Sequence, residues 1–214
     1  MSGANITGRI IKDDACVAEG ADWLAAGDPR FHRALGLVTP LPLRLRNDGF
    51  PALVSAICGQ QISVASANAI YARLDAAEMN VPETVLASSE DDLRALGLSR
   101  PKARYVHALA EAKLDYAALR DLPSDQVIKT LVAVPGIGIW TAEIYAMFSL
   151  GRADVFASGD LALQEGARQL FDLPARPTDK ELRTMADDWS PWRSVAARLL
   201  WAYYAHMKSR EGIR

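Results

Sequence analysis

Hydrophobic residues recur every three or four positions along most of the chain, which is the spacing of one face of an α-helix. A clear example is the run Val64, Ala67, Ile70, Tyr71 and Leu74. No stretch of useful length alternates apolar and polar residues in the way that a half-buried strand does. The pattern therefore predicts an all-α fold.

Capping and helix-breaking residues predict where several of these helices begin and end. Residues 13–37 predict two helices that are separated by Gly-Asp-Pro at positions 27–29. A longer helix is predicted from residue 99 to about residue 116, with a proline near its start. Residues 178–181 read Thr-Asp-Lys-Glu, a capping-box sequence, and Ser-Pro before residue 192 opens a final helix that extends to about residue 207.

Residues 126–150 predict two short helices joined by a Pro-Gly-Ile-Gly turn at positions 135–138. Gly136 and Gly138 can adopt positive φ angles and carry no Cβ atom, so nearby backbone N–H groups can approach an anion closely. The spacing alone fits a phosphate-binding turn and an ordinary helix connection equally well. The residues that follow decide between the two.

Composition places the chain among globular proteins of one or two small domains. It has 214 residues, of which 50% are hydrophobic and 23% are charged. No apolar run approaches the roughly 20 residues that cross a bilayer, and the first residues lack the pattern of a secretory signal. These features predict a cytoplasmic protein that does not bind a membrane.

The charge and the cysteine content limit the kinds of nucleic-acid contact and metal site that the chain can form. The net charge of −2 argues against a protein that coats nucleic acid through bulk positive charge, so any such contact must be local. Cys16 and Cys58 lack a CxxC spacing and predict buried thiols in a reducing compartment. They cannot form a zinc site or hold an iron–sulfur cluster.

Asp160 stands at the predicted start of a helix, after a short irregular link that follows the hairpin. An aspartate in this place is a favoured N-cap. It is also a carboxylate placed within one element of a candidate phosphate-binding turn. The two roles are compatible, and the spacing alone does not choose between them.

The sequence Val-Pro-Gly-Ile-Gly-Ile-Trp-Thr-Ala at residues 134–142, followed by Asp160, resembles the helix-hairpin-helix DNA glycosylase superfamily. The motifs Ile-Cys-Gly-Gln-Gln-Ile-Ser at residues 57–63 and Trp-Ser-Pro-Trp-Arg-Ser at residues 189–194 resemble its DNA-3-methyladenine glycosylase II branch. The resemblance covers roughly residues 50–205. Together the three motifs are specific, whereas the hairpin alone would indicate only DNA binding.

The resemblance implies a monofunctional glycosylase that flips alkylated purines out of DNA and excises them. Asp160 matches the catalytic aspartate, which opposes the positive charge that develops on the deoxyribose. Trp140 occupies the position of the nucleophilic lysine in the lyase members, and an indole cannot form a Schiff base. Gln61 matches the wedge that fills the gap left by the flipped base.

Further roles follow from the same resemblance. Trp140 and Trp201 are expected to stack on the damaged base, because an electron-rich ring binds a cationic purine well. The DNA phosphate is expected to contact the hairpin backbone at Gly136, Ile137, Gly138 and Thr141. The carbonyl groups of Val132, Val134 and Gly136 are expected to bind Na⁺ or K⁺, with no other cofactor required.

The expected organisation is two helical subdomains around a cleft, all within a single glycosylase unit spanning 1–214. Residues 62–170 form the central subdomain, and residues 1–61 with 171–214 form the second. The expected partner is double-stranded DNA containing alkylated bases, bound by a monomer. Two alternatives remain at this point: a non-catalytic DNA-binding module, and a bifunctional glycosylase and AP lyase, which Trp140 and the missing cysteine ligands disfavour.

Overall fold

The fold is described from a computed structural model over residues 7–211. Every regular element within this range is helical, which confirms the all-α prediction. One isolated antiparallel bridge joins Ile10 and Arg152. Across the described range, no helix is long and apolar enough to cross a membrane.

The helices follow one another with short connections. In order along the chain they are α1 (Asp14–Gly27), α2 (Pro29–Val38), α3 (Phe50–Gly59), α4 (Val64–Ala76), α5 (Pro82–Ala87), α6 (Glu90–Ala95), α7 (Arg100–Glu111), α8 (Tyr116–Leu119), α9 (Ser124–Val132), α10 (Ile139–Phe148), α11 (Leu161–Leu170), α12 (Asp179–Met185), a short 3-10 helix (Ala186–Trp189) and α13 (Arg193–Glu211).

The capping residues act largely as the sequence predicts. Asp28 ends α1 and begins α2, where its carboxylate accepts a hydrogen bond from the backbone N–H of Arg30 at 2.8 Å. Thr178 forms the expected capping box with Glu181 at the start of α12. The predicted helix from residue 99 to about 116 is too long, because Lys113 adopts a left-handed backbone (φ 45°) and ends it.

Packing divides the chain into two compact units. Within the described residues, the terminal unit consists of residues 7–45 and 146–211, and the central unit is Arg46–Tyr145. The central unit therefore starts and ends earlier than the expected 62–170. It includes α3 because α3 packs on α4 and α7, and it excludes α11 because α11 packs on α13.

In the terminal unit, α13 packs against α1, α2 and α11. The contact with α11 depends on Gly166, where an added Cβ atom would lie 2.7 Å from the carbonyl oxygen of Leu200. A side chain at this position would push the two helices apart. The close approach places the middle of α11 next to the middle of α13.

In the central unit, α7 packs against α3, α5 and α6. The core-facing side of α3 is apolar, with Leu53, Val54, Ile57 and Cys58 all fully buried. The end of α3 carries the motif at residues 57–63. Helix α9 and the first part of α10 follow one another across the glycine turn. These elements carry Gln61, the glycine turn and Trp140, which are the candidate functional residues of the central unit.

Candidate functional site

Asp160 is the N-cap of α11 and its carboxylate is held in one orientation. Its Oδ1 atom accepts hydrogen bonds from the backbone N–H groups of Ala162 at 2.8 Å and Leu163 at 3.1 Å. The side chain is half-buried. A negative charge is favoured here because it faces the positive end of the helix dipole.

The link before Asp160 is also fixed. Gln164, one turn into α11, is buried and donates from its amide to the carbonyl of Ser158 at 2.9 Å. The buried hydroxyl of Ser158 donates to the carboxylate of Asp179 at the start of α12. The backbone N–H of Asp160 bonds to the carbonyl of Ala157 at 2.9 Å. The carboxylate therefore has a rigid support on its N-terminal side.

Trp201, on α13, contacts the same carboxylate. Its indole Nε1–H donates to Oδ1 of Asp160 at 3.2 Å, so this oxygen accepts three N–H groups. The ring is half-buried and lies 5.8 Å from the ring of Phe148, tilted by 36°. The structure thus brings together two residues that are 41 positions apart and that the family resemblance implies for different roles. A carboxylate held by preorganised donors can stabilise a developing positive charge without first reorienting.

Two arginines lie close to this aromatic pair. Arg198 is fully buried and donates to the carbonyl of Leu43 at 2.9 Å, with its guanidinium 4.8 Å from the centre of the Phe148 ring. Burial, and secondarily the charge of Arg44, lowers the pKa of Arg198 to about 10. Arg44 is exposed, and its guanidinium lies 5.8 Å from the Trp201 ring. The sequence did not predict the contacts of either arginine, because they join distant residues that belong to no common motif.

A cavity of about 390 Å³ lies elsewhere in the terminal unit, at the other end of α11. Asp160 begins this helix and Phe171 ends it, so they are about 15 Å apart along the axis. The cavity is lined mainly by apolar and aromatic residues, including Trp23, Phe31, Phe171, Met185 and Trp189. Because it is remote from the Asp160 carboxylate, we assign it no part in the chemistry.

The turn of the hairpin in the central unit is tight, and one of its glycines is required. Gly136 has φ 91°, and an added Cβ atom would lie 2.2 Å from Tyr105. Gly138 does not have a positive φ, and an added Cβ atom would meet nothing within 4 Å. The two glycines therefore differ: Gly136 is needed for the fold, whereas Gly138 leaves open space beside the first turn of α10.

The surface beside this open space is apolar and lies at a helix start. Ile139 and Trp140 are exposed by 56% and 47%, and Val132 before the turn is exposed by 38%. Trp140 is therefore not a core residue. Thr141 is buried, so its contribution to an anion site would come from its backbone. The first N–H groups of any α-helix lack a carbonyl partner one turn earlier in the same helix, so the start of α10 suits a phosphate.

The candidate wedge lies next to the hairpin. Gln61 is exposed and adopts a left-handed backbone with φ 58°. Its neighbours Ile62 and Val64 are exposed apolar residues, at 39% and 76%. The preceding Gln60 donates from its amide to the carbonyl of Gly136 at 2.9 Å. The structure therefore joins the candidate wedge motif and the candidate phosphate-binding turn within one unit.

The expected cation site consists of the backbone carbonyl groups of Val132, Val134 and Gly136, and backbone carbonyl oxygens bind monovalent cations in ion channels. The carbonyl of Val134 accepts the N–H of Ile137 at 3.1 Å, and that of Gly136 accepts the Gln60 amide. Each carbonyl retains a second lone pair, so the donor set still fits a monovalent cation. Within the described residues, no group of three or more His, Cys, Asp or Glu side chains is placed to hold a metal.

The model of the HhH-GPD superfamily of base excision DNA repair proteins matches residues 54–191. The chain belongs to this superfamily. The matched range includes Gln61, the hairpin, Trp140 and Asp160, whereas Trp201 lies beyond its end.

Relatives and solved structures extend the similarity over most of the chain. The alkylbase DNA glycosidase-like protein mag2 of Schizosaccharomyces pombe is 27% identical over 174 residues, covering 77% of this chain and 80% of the relative. A DNA-3-methyladenine glycosidase from Bacillus halodurans superimposes with a TM-score of 0.78 at 33% identity, covering 89% of this chain and 91% of that one. A 3-methyladenine DNA glycosylase from S. pombe, solved in complex with abasic DNA, superimposes with a TM-score of 0.74 at 29% identity, covering 86% and 95%.

Proposed function

We propose that this chain is a monofunctional DNA glycosylase that releases alkylated purines of the 3-methyladenine and 7-methylguanine type. The names of its relatives in the superfamily support this assignment. The observation that carries it is the carboxylate of Asp160, whose Oδ1 accepts three N–H groups, one of them from the indole of Trp201.

The reaction is hydrolysis of the bond between C1′ of the deoxyribose and the purine nitrogen. The base departs with the bonding electrons, positive charge develops on the sugar, and a water oxygen adds to C1′. The fixed charge of Asp160 stabilises this transition state electrostatically, and the same carboxylate orients the water and accepts its proton. A cationic alkylpurine leaves as a neutral base, so it needs less assistance than an undamaged one.

The protein binds DNA in this account through the hairpin rather than through bulk positive charge. The N–H of Ile137 bonds to the carbonyl of Val134 at 3.1 Å within the turn, so the phosphate contacts the backbone N–H groups of Gly136, Gly138 and Thr141. These groups supply local positive potential without basic side chains. Gln61 fills the gap in the duplex, and Trp201, which contacts the Asp160 carboxylate, stacks on the base. Trp140 provides an exposed aromatic ring at the hairpin. The substrate is double-stranded DNA, and the active form is a monomer.

No lyase step follows base release. Trp140 carries no amine, so it cannot form the covalent imine through which lyase members cleave the strand. The product is an abasic site in an uncleaved DNA strand. Apart from Na⁺ or K⁺ at the hairpin carbonyls, the reaction requires no cofactor.

The test is incubation of the protein with duplex DNA containing 3-methyladenine or 7-methylguanine, followed by identification of the released bases by mass spectrometry. Free alkylpurine from wild type, and none from Asp160→Asn, is the expected result. Strand breaks should appear only after alkali treatment, and borohydride should trap no adduct. Binding to abasic DNA without release of any alkylated base would refute the proposal and identify a non-catalytic binding module.

A further inference from the structure

We propose that Lys102 and Gln60 are positioning residues that lock the wedge turn, residues 58–61, to the hairpin. Their contacts set the distance between Gln61 and the phosphate that the hairpin holds. This inference rests on the proposed function only in taking Gln61 as the group that enters the DNA duplex.

The wedge turn needs external support. Helix α3 ends at Gly59, and Gln60 makes a single backbone bond, to the carbonyl of Ile57 at 3.3 Å. Gln61 then adopts φ 58° although it carries a side chain. Residues other than glycine seldom hold this conformation unless their surroundings impose it. We therefore infer that the contacts of the neighbouring residue Gln60 impose the left-handed backbone at Gln61.

Lys102, in the first turn of α7, supplies the first constraint. Its ammonium donates to the carbonyl of Cys58 at 2.8 Å and to the carbonyl of Gln60 at 2.6 Å. These two carbonyls flank Gly59 at the C-terminal end of α3, where unpaired carbonyls favour a cation. The lysine is half-buried, and this burial lowers its pKa. One charged group thus holds both sides of the bend from which Gln61 projects.

Gln60 and Tyr105 connect this bend to the hairpin. The amide of Gln60 donates to the carbonyl of Gly136 at 2.9 Å. Tyr105 packs so closely on Gly136 that no side chain would fit there. Lys102 and Tyr105 are three residues apart and so share one face of α7. The same helix face therefore contacts the wedge turn at one residue and the phosphate-binding turn at the other.

A fixed distance between these turns matters for inserting a side chain into DNA. Unstacking a base costs free energy that wedge insertion must offset, and a wedge that moves relative to its phosphate anchor loses part of that offset to disorder. Removing the Lys102 contacts should leave the hairpin able to bind the backbone while Gln61 enters the duplex less often. Binding and insertion should therefore respond differently to substitution.

The test uses a duplex with a tetrahydrofuran abasic analogue opposite 2-aminopurine, whose fluorescence reports insertion into the stack. The variants are Lys102→Met, Lys102→Arg and, as a matched control, Lys180→Met, which removes an exposed lysine of the terminal unit. Affinity for the same duplex is measured in parallel, and the melting temperature of each variant shows that it folds.

The expected result for Lys102→Met is affinity within about twofold of wild type with a roughly tenfold smaller insertion signal, because hydrogen bonds from a charged group are lost. Lys102→Arg keeps donors for both carbonyls and should recover most of the signal, and Lys180→Met should match wild type. A full signal from Lys102→Met would overturn the proposal. So would a loss of affinity that parallels the loss of signal, because that would indicate a general structural defect.

Gln60→Met provides a second, independent variant. It keeps the length of the side chain and the backbone carbonyl that Lys102 contacts, but removes the donor to Gly136. It should also lower the insertion signal while preserving affinity, and an unchanged signal would contradict the coupling. Because the duplex contains no scissile base, the result does not depend on catalysis. Absence of base release by wild type would refute the proposed function alone.

Discussion

The two units hold their candidate functional groups in opposite ways. In the terminal unit, a single side-chain carboxylate is fixed by backbone N–H groups and by the indole of Trp201. In the central unit, the backbone of a glycine turn is the candidate ligand, and side chains such as Gln60 and Tyr105 shape it. The proposed catalytic group is thus a side chain, Asp160, that backbone N–H groups hold in place. The proposed DNA-binding group is the backbone of the glycine turn, which side chains hold in place.

Under the proposed function, this difference explains how a chain with a net charge of −2 acts on a polyanion. Backbone N–H groups at a helix start provide positive potential that does not appear in a count of lysines and arginines. It also predicts that substitutions of Asp160 and Trp201 change the rate of base release, whereas substitutions in the glycine turn change the affinity for DNA. The following variants test that separation.

Asp160→Asn should have the largest effect. The amide keeps an oxygen that can cap α11 but removes the negative charge, so base release should slow by about 100- to 1,000-fold. Single-turnover release of 7-methylguanine measures this. The matched control is Asp154→Asn, because Asp154 accepts the Ser190 hydroxyl at 2.8 Å and pairs with Arg193 in a structural role. Loss of activity from the control and not from Asp160→Asn would reverse the assignment.

Trp201→Phe should have the next largest effect. It keeps an aromatic ring for stacking but deletes the N–H donor to Asp160, a hydrogen bond to a charged group. The expected loss is about tenfold or more in the saturated release rate, with little change in the KM for substrate. A change confined to KM would show instead that Trp201 acts only through contact with the base.

Gly138→Ala should have a smaller effect, and only on binding. The added methyl group meets no protein atom within 4 Å, so the free energy of unfolding should change by no more than about 0.5 kcal/mol. Affinity for abasic DNA should weaken several-fold because the methyl group occupies the space beside the phosphate. Gly136→Ala is the contrasting variant, and the strained backbone alone should cost it about 1–3 kcal/mol of stability. Unchanged affinity for Gly138→Ala would place the phosphate elsewhere.

Cys58→Ala should have the smallest effect, a change in how the free energy of unfolding depends on pH. Burial raises its pKa from 9.0 to about 11, so the folded protein keeps the thiol protonated while the unfolded chain ionises. Its contribution to stability is complete below pH 9 and is lost as the pH rises to 11. Between pH 7 and pH 10, Cys58→Ala should lose about 1 kcal/mol less stability than wild type in urea unfolding. Burial also raises the pKa of Tyr145, to about 12, but this affects both proteins equally. Equal losses would show that Cys58 is accessible to water.

Much of this arrangement was predictable from local sequence signals. The helical periodicity, the capping box at Thr178, the glycine turn and Asp160 at a helix start all depend on residues close together in the chain. These signals predict an all-α fold and a candidate carboxylate. Whether Asp160 is catalytic stays a prediction.

The supporting contacts could not be predicted in the same way. Lys102 binds carbonyl groups more than 40 positions away, and Arg198 reaches Leu43 across 155 positions. Neither contact can be predicted from the sequence, because each depends on how the helices pack. Gly136 and Gly138 also look equivalent in the sequence, and only the position of Tyr105 distinguishes them. The unit boundaries depend in the same way on which helices pack together.

The most direct test of this division of roles compares wild type, Asp160→Asn and Gly138→Ala for both Kd on abasic duplex DNA and single-turnover release at saturating protein. The account predicts that Asp160→Asn keeps the wild-type Kd and loses at least about 100-fold in rate, while Gly138→Ala raises Kd and keeps the saturated rate. Wild-type rates from Asp160→Asn, or weakened binding from it together with slow release from Gly138→Ala, would contradict the account.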